Sequence, residues 1–436
     1  MFEIKGKYTT AIIYAEEIDE TCINQIHHFI SHPAFTNRVV IMPDTHSGTG
    51  SVIGFTMEKT DKIIPNVIGV DGDCGMLFLE INKDEINRID LKTLDEMIRE
   101  QIPFGTNVHN SPLFDKWEQL KWFKYDYNWF KKKCKQIGID LEYAECSLGT
   151  LGGGNHFIEI GVSEKTGKPC IIIHSGSRNF GKKICEYHQN IAEEDINKPK
   201  KEFYIKEINR IKSDYKGKEI EHNINKLREN LFVGNVPNDL SFLQDQHAKD
   251  YLDDMGFIEL YAHYNRALIM KTIKNLLNTK STNYIETVHN YINPKDNIIR
   301  KGAISSYIGQ KMVIPLNMRD GILLCEGKSN PDWNYSAPHG AGRLLSREQA
   351  KATLKLEKFE KDMKGIYSTS VCASTLDESP DAYKDSALTE MLIEPTATVI
   401  DKFKPILSLK DRSDNQKSWK EIRQERKENK NKNANN

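Results

Sequence analysis

Ile171-Ile172-Ile173-His174-Ser175-Gly176-Ser177-Arg178-Asn179-Phe180-Gly181 is the stretch from which the rest of the chain can be read. An apolar run rich in β-branched residues reads as a buried strand, and it stops abruptly at a histidine followed by small residues, an arginine and a second glycine. An imidazole is thus delivered to a strand end, where loops build sites. A lone histidine closing a strand is more often a satisfied core or loop residue. Here the device recurs.

Four other places repeat it. Val67-Ile68-Gly69-Val70 leads into Asp71-Gly72-Asp73-Cys74-Gly75, and Leu151-Gly152-Gly153-Gly154 leads into Asn155-His156-Phe157-Ile158-Glu159. Tyr284-Ile285-Glu286-Thr287-Val288 leads into His289-Asn290, and Ser336-Ala337-Pro338 leads into His339-Gly340-Ala341-Gly342-Arg343. Each sets a metal-ligand or nucleophile type beside an apolar strand or between glycines, and the expectation is that they meet in one site.

The chain of 436 residues is long enough for one large domain or two, with ample core. Its 61 basic and 62 acidic residues leave a net charge of −1, so a polyanion would have to be held by a local basic groove rather than by the whole molecule. The 8 cysteines are scattered with no CxxC pair, which argues against a zinc ribbon or disulfide framework and for a reducing compartment. No run approaches about 18 apolar residues, so a soluble, cytoplasmic protein without membrane partners is expected.

In chain order, residues 9–14 alternate like a strand, 17–30 suit a helix, and 38–42 form a short strand running into a loop, Pro43-Asp44-Thr45-His46-Ser47-Gly48-Thr49-Gly50, that resembles either a site loop or a plain turn. The Asp71-x-x-Cys74 tetrapeptide among glycines folds tightly and aims a carboxylate and a sulfur at one space; the plain alternative is a buried inert cysteine. Residues 83–138 look helical. Within them Trp117, Trp122, Phe123, Tyr125, Tyr127, Trp129 and Phe130 alternate with lysines, which suits a core stripe first and RNA contact second. Residues 197–230 read as a charged, solvated helical insertion, and 239–278 as a long helix in which Asn265-Arg266 form a polar network. The segments 300–303 and 312–321 look like loops able to reach an anion. A helix is expected over 346–364, and a strand over 406–410 ending in Lys410. The tail 411–436 has little to bury and is expected to fray.

Asp71, Cys74, His156, His174 and His289 offer five ligands of O, S and N type. That is too many for one catalytic metal with open positions and suits two cations sharing the thiolate, clamping a phosphate between them. Ligand softness does not choose among zinc, iron and manganese. His339, between glycines and followed by Arg343 as a phosphate partner, suits a nucleophile at phosphorus, a sixth ligand or a structural role equally.

These motifs, together with Pro43-Asp44-x-His46, Ala262-x-x-Asn265-Arg266, Arg300-Lys301-Gly302-Ala303 and Ala382-Tyr383-Lys384-Asp385, occur in the order seen in the RtcB-type RNA-splicing ligases, and the resemblance runs from about residue 42 to 410. It implies that family's own mixed α/β architecture: a catalytic domain over 1–410 with a deep binuclear metal cleft, an insertion at 197–230, and a flexible tail over 411–436. It implies a GTP- and manganese-dependent ligase that joins an RNA 3′-phosphate or 2′,3′-cyclic phosphate to a 5′-hydroxyl, in RNA repair or tRNA splicing. By this similarity Asp71, Cys74 and His156 hold one Mn2+, and Cys74, His174 and His289 the other; His339 becomes guanylylated. Asn155, His156, Glu159, His289, Asn290, Pro315, Asn317, Met318, Gly340, Ala341, Gly342 and Lys410 contact the guanylate. An activating helper protein is left open. The family's Pro-Gly-Ser-Met-Gly is replaced here by Pro315-Leu316-Asn317-Met318-Arg319, which bears on the nucleotide contacts of that loop. The competing readings are a binuclear metallophosphoesterase using His339 as a general acid, and a non-catalytic RNA-binding subunit.

Overall fold

The computed structural model describes residues 1–16, 18–114, 125–232, 236–413 and 416–425, without the side chains of 198–200 and 228–232. Two large sheets carry the site. The first is seven-stranded, and each of its neighbouring pairs is antiparallel, in the order β12 (Lys311–Pro315), β13 (Ile322–Gly327), β15 (Ala397–Leu409), β6 (Phe157–Ser163), β7 (Pro169–Ser175), β5 (Gly75–Glu80), β8 (Tyr284–Val288). The second is six-stranded, in the order β1 (Phe2–Lys5), β2 (Thr10–Ile13), β3 (Val39–His46), β4 (Ile53–Glu58), β10 (Ile298–Lys301), β9 (Asn290–Ile292). A two-stranded ribbon pairs β11 (Ala303–Ser305) with β14 (Ser336–Pro338).

Every residue of β7 is buried, which is why it reads as an unbroken apolar run: the sheet is covered on both faces. Because strand side chains alternate, Leu77, Leu79, Ile158, Ile160, Ile171 and Ile173 pack on one face, while Met76, Phe78, Phe157 and Ile172 pack on the other. The first face is closed by α4 (Leu91–Gln101), through Leu94 and Ile98 at helical spacing, and by the C-terminal half of α9 (Asp245–Leu277), through Ile269, Met270, Ile273 and Leu277. Burying each such side chain is worth about 1.5–3 kcal/mol. α4 is started by Asp90, whose carboxylate accepts from the Thr93 amide at 3.0 Å.

The N-terminal half of α9 belongs to a second core. There Tyr251, Phe257 and Tyr261 pack with α1 (Glu20–Ile30), α5 (Tyr127–Gln136) and α7 (Arg178–Asp214) beneath the six-stranded sheet. Asn265 and Arg266 fall where α9 passes from one core to the other. The two sheets are also stitched by the chain itself, since β8 in one and β9 in the other are separated only by His289.

The remaining helices are α2 (Pro65–Ile68), α3 (Lys83–Ile86), α6 (Leu141–Ser147), α8 (Lys218–Phe232), α10 (Arg347–Thr353), α11 (Leu356–Asp362) and α12 (Ser386–Leu392). Residues 197–230, expected to be helical, fall mostly within α7 and α8. Several local expectations are corrected. The strand expected over 38–42 continues as β3 through Pro43, Asp44, Thr45 and His46, so the loop begins only at Ser47. Val67-Ile68 close a helical turn started by Pro65. Arg300 and Lys301 lie in β10 and are buried: Arg300 bonds Asp296 at 2.8 Å, and Lys301 reaches the carbonyls of Thr49 and Asn66. They are scaffold, not anion-seeking loops. Residues 312–315 are strand, which leaves only 316–321 as a loop. The helix expected over 346–364 breaks at residues 354–355 into α10 and α11. Trp129 and Phe130 pack against Phe257, as a core stripe does, with ring centroids at 4.5 and 5.5 Å; Trp117, Trp122 and Phe123 lie outside the described residues. Residues 419–425, expected to fray, are helical and packed, with Ile422 buried. Among the described residues no helix is long and apolar enough to cross a membrane.

Candidate active site

In an antiparallel sheet the start of one strand lies beside the end of the next. β6, β7, β5 and β8 are consecutive neighbours, so the residue before β6 (His156), the penultimate residue of β7 (His174), the residue before β5 (Cys74) and the residue after β8 (His289) share one edge. Pairing fixes the alignment: Phe157 opposes His174, Gly75 opposes Ser175, and Gly75 opposes Val288. Positions far apart in sequence are thereby stacked side by side.

The Cys74 sulfur lies 3.3 Å from both His156 Nε2 and His174 Nε2, and Asp71 Oδ2 lies 3.0 Å from His156 Nε2. Two triads result, Asp71–Cys74–His156 and Cys74–His174–His289, each with donor atoms within 4.8 Å of one another. The thiol is common to both. Burial, reinforced by the Asp71 charge, holds the Cys74 thiol well above its usual range. Burial likewise pushes His174 and His289 well below theirs, so both rings are neutral and keep a lone pair for a ligand. His174 Nδ1 is 3.2 Å from the Asn155 carbonyl, an acceptor only; Nδ1 therefore carries the proton and Nε2 faces the sulfur with its lone pair. Burial acts to raise Asp71, yet the adjacent His156 more than offsets it and brings the carboxylate down to about 2.

Asn265 and Arg266 hold these turns. Asn265 Oδ1 accepts from the amides of Gly149 and Thr150 at 2.8 and 3.1 Å, and its Nδ2 donates to Ser175 Oγ and the Gly176 carbonyl at 2.9 and 3.1 Å. Arg266, wholly buried, donates to the carbonyls of Asp73 and Ser175 at 2.7 and 2.9 Å and pairs with Asp73 and Glu286 at 2.9 and 2.8 Å. One helix thus joins the turn carrying Cys74 to the strand end carrying His174.

The fourth imidazole in the row is His339, at the end of β14. Its ring centroid is 4.9 Å from that of His289, which is 5.2 Å from His174. Asp44, 2 % exposed on β3, lies with Oδ2 2.7 Å from His339 Nδ1. The carboxylate accepts a hydrogen bond from Nδ1–H, and Nε2 has no partner among the described residues. Cys74, His174, His289 and His339 all line one cavity of ≈ 600 Å³.

The structure also places the other residues singled out in the sequence. Asp71, Asn155, Glu159, Asn290, Pro315, Asn317, Met318, Gly340, Ala341, Gly342 and Lys410 line the same cavity, while His156 is buried behind its wall. Burial pushes the Glu159 carboxyl up to about 8, with Lys410 acting in the other direction, and its Oε1 is buried without a partner. Asn290 is spent on the backbone, donating to the Asp71 carbonyl at 3.0 Å and accepting from the Gly302 amide at 2.9 Å. Asn317 is spent on protein partners, accepting from the amides of Arg319 and Asp320 and donating to Asp320 at 2.8 Å and to Ser386 at 3.3 Å. Arg343, expected to be free for a phosphate, is tied instead to Glu378 at 3.2 Å, to Tyr383 and to the Asp377 carbonyl.

Sequence reasoning missed Glu378. It is 2 % exposed and pairs with Lys410 at 2.8 Å as well as with Arg343. Nothing local signals it, since Asp377-Glu378 in a polar run resembles a solvated turn.

The sequence model of the family described as tRNA-splicing ligase RtcB matches residues 25–411. The RNA-splicing ligase RtcB of Escherichia coli (strain K12) is 28% identical over 387 residues, which cover 81% of this chain and 85% of that protein. The tRNA-splicing ligase RtcB of Aeropyrum pernix is 25% identical over 428 residues, covering 79% of this chain and 82% of that protein. That of Archaeoglobus fulgidus is 23% identical over 446 residues, covering 84% and 86%.

Proposed function

This chain belongs to the tRNA-splicing ligase RtcB family, and from that premise we propose that it joins an RNA 3′-phosphate or 2′,3′-cyclic phosphate end to a 5′-hydroxyl end, using GTP and Mn2+ through a guanylylated His339. The observation that carries the reading is one cavity, lined by Asp71, Cys74, His174 and His289 with His156 behind its wall, at which two ligand triads sharing one thiol stand beside the His339 imidazole, whose Nδ1 is held by Asp44.

The donor set fits two cations. The thiol and two imidazole nitrogens meet at 3.3 Å, an arrangement of S and N donors that suits a soft-to-borderline dication. Asp71, Cys74 and His156 would hold one Mn2+, and Cys74, His174 and His289 the other. When bound, the pair supplies positive charge that offsets the charge of the reacting phosphates.

The protein's own groups do the rest. Asp44 fixes the His339 ring, keeps Nε2 as the lone-pair nitrogen and stabilises the cationic ring that forms when Nε2 attacks the α-phosphorus of GTP and pyrophosphate leaves. Glu159, protonated near neutrality, and Lys410 supply hydrogen bonds to the base where they line the cavity. The guanylate then passes from Nε2 to the RNA 3′-phosphate, and the 5′-hydroxyl displaces GMP; a cyclic phosphate end is first opened by water. Because Asn317 and Arg343 are already partnered and Glu159 Oε1 is not, the nucleotide is read mainly from the Glu159 side, beside which Lys410 stands paired with Glu378.

The test is incubation with GTP labelled at the α-phosphorus and Mn2+, followed by ligation of a 5′-hydroxyl RNA to a cyclic-phosphate RNA. The proposal expects acid-labile, alkali-stable label on the protein, lost in His339→Ala, and a joined RNA. A phosphoesterase would release phosphate and retain no label.

A further inference from the structure

We infer that the C-terminal segment 416–425, beyond the 25–411 span of the family match, is a strap that positions the glycine loop carrying Asn155 and His156. The inference concerns the metal and nucleotide site of the proposed function, but its first readout is independent of that reading.

Three consecutive glycines have little conformational preference of their own. Gly152 and Gly154 sit at φ +96 and +69, so the course of this loop has to be imposed by what lies against it. Its outer neighbour is the loop 103–109. Leu151 donates to the Pro103 carbonyl at 2.9 Å, Gly105 donates to the Gly152 carbonyl at 3.0 Å, and Arg178 reaches across to the Gly105 carbonyl at 2.6 Å. That outer loop is in turn clamped from the C-terminal side. The Lys417 amide donates to Asn107 Oδ1 at 3.0 Å, Thr106 Oγ1 bonds Gln416 Oε1 at 3.2 Å, and Gln416 Nε2 donates to Asp411 at 2.8 Å. The packing leaves no slack, because a Cβ on Gly105 would stand 2.7 Å from Gln416 Nε2 and 2.8 Å from Asp411.

The strap has its own anchor. Ser418 and Glu421 cap its helical turn reciprocally, Ile422 enters an apolar cluster with Val108 and Cys146 beside Trp419 and Tyr143, and Arg423 pairs with Asp140 at 3.2 Å. Force therefore passes from α6, through the strap and the loop 103–109, to the residues preceding β6. Trp419 and Ile422 act through other residues and are positioning residues only.

The test compares the full chain with one ending at Arg412 and with Ile422→Asp, using amide hydrogen exchange and titration with Mn2+ alone. Exchange over 103–109 and 149–156 is expected to quicken about tenfold or more while β5 and β7 keep their protection. Mn2+ affinity is expected to fall at one of two sites, and a peptide of residues 413–436 added in trans is expected to restore both. Unchanged exchange over 149–156 in the shortened chain would overturn the inference, as would failure of the peptide to slow it again. If the shortened chain does not fold, Ile422→Asp decides by the same exchange pattern. Absence of Mn2+ binding in the full chain would count against the metal reading above and leave the exchange result to judge the strap.

Discussion

The two ends of the cavity are built on opposite principles. At the end formed by β5, β6, β7 and β8, the Cys74 thiol is crowded at 3.3 Å by two ring nitrogens, burial holds the His174 and His289 rings neutral, and the carboxylate among these donors, Asp71, meets His156 at 3.0 Å. At the end formed by the loop 316–321 and the turn after His339, polar groups are matched: Arg319 with Asp320, Asn317 with its own loop, Arg343 with Glu378 and Tyr383. Folding has no use for the first arrangement, since burying donors that do not satisfy each other costs stability. The matched end can be explained by folding alone. Unsatisfied chemistry thus marks where a ligand is awaited, and satisfied chemistry marks the frame that holds it.

Substitutions at the two ends should separate these principles. The largest effect is expected for Asp44→Asn, which keeps the shape but lets the His339 ring take the wrong tautomer; guanylylation rate should fall by about 10²-fold or more with the fold intact, measured by single-turnover labelling. Next comes Arg266→Met, which strands Asp73 in the interior and leaves the half-buried Glu286 with only His263 of its two partners. It should cost about 3–5 kcal/mol of unfolding free energy in denaturant titration and also weaken Mn2+ binding.

A pH effect of intermediate size is expected from Glu159. Its carboxyl is raised from 4.5 to about 8, so the folded state holds a proton that the unfolded state has released. This contribution is full below pH 4.5 and is lost as pH rises through 8, at up to about 1.4 kcal/mol per pH unit. Glu159→Gln should flatten that part of the stability curve while keeping a hydrogen-bonding group in place. The smallest effect belongs to the matched end. Arg319→Ala breaks a half-exposed pair with Asp320 and should change stability by less than about 1 kcal/mol, with guanylylation near wild type.

The same contrast explains what is legible in the sequence. Each member of the strand-end cluster is announced locally, by a histidine or cysteine where an apolar run stops or glycines crowd, so Cys74, His156, His174 and His289 are readable one at a time. Their meeting depends on strand order and register, which no local pattern carries. The frame is harder to read because its signals are ambiguous. Arg300 and Lys301 resemble loop cations until β10 is seen to bury them, and Asp377-Glu378 resemble a solvated turn until Lys410 and Arg343 are found against Glu378. Asp44 reads as part of a loop because Pro43 precedes it, whereas β3 continues past it, with an irregularity in its pairing between Ile41 and His46. Composition likewise misjudges residues 419–425, where Trp419 and Ile422 suffice to dock a segment that is otherwise polar.

The central claim is that one sulfur serves two cations. Counting Mn2+ bound per chain at equilibrium in wild type, Cys74→Ser, His156→Ala and His289→Ala tests it most directly. The shared-thiolate arrangement predicts two ions in the wild type, one in each histidine variant and none held tightly in Cys74→Ser; a Cys74→Ser protein that still binds one ion with wild-type affinity would contradict it.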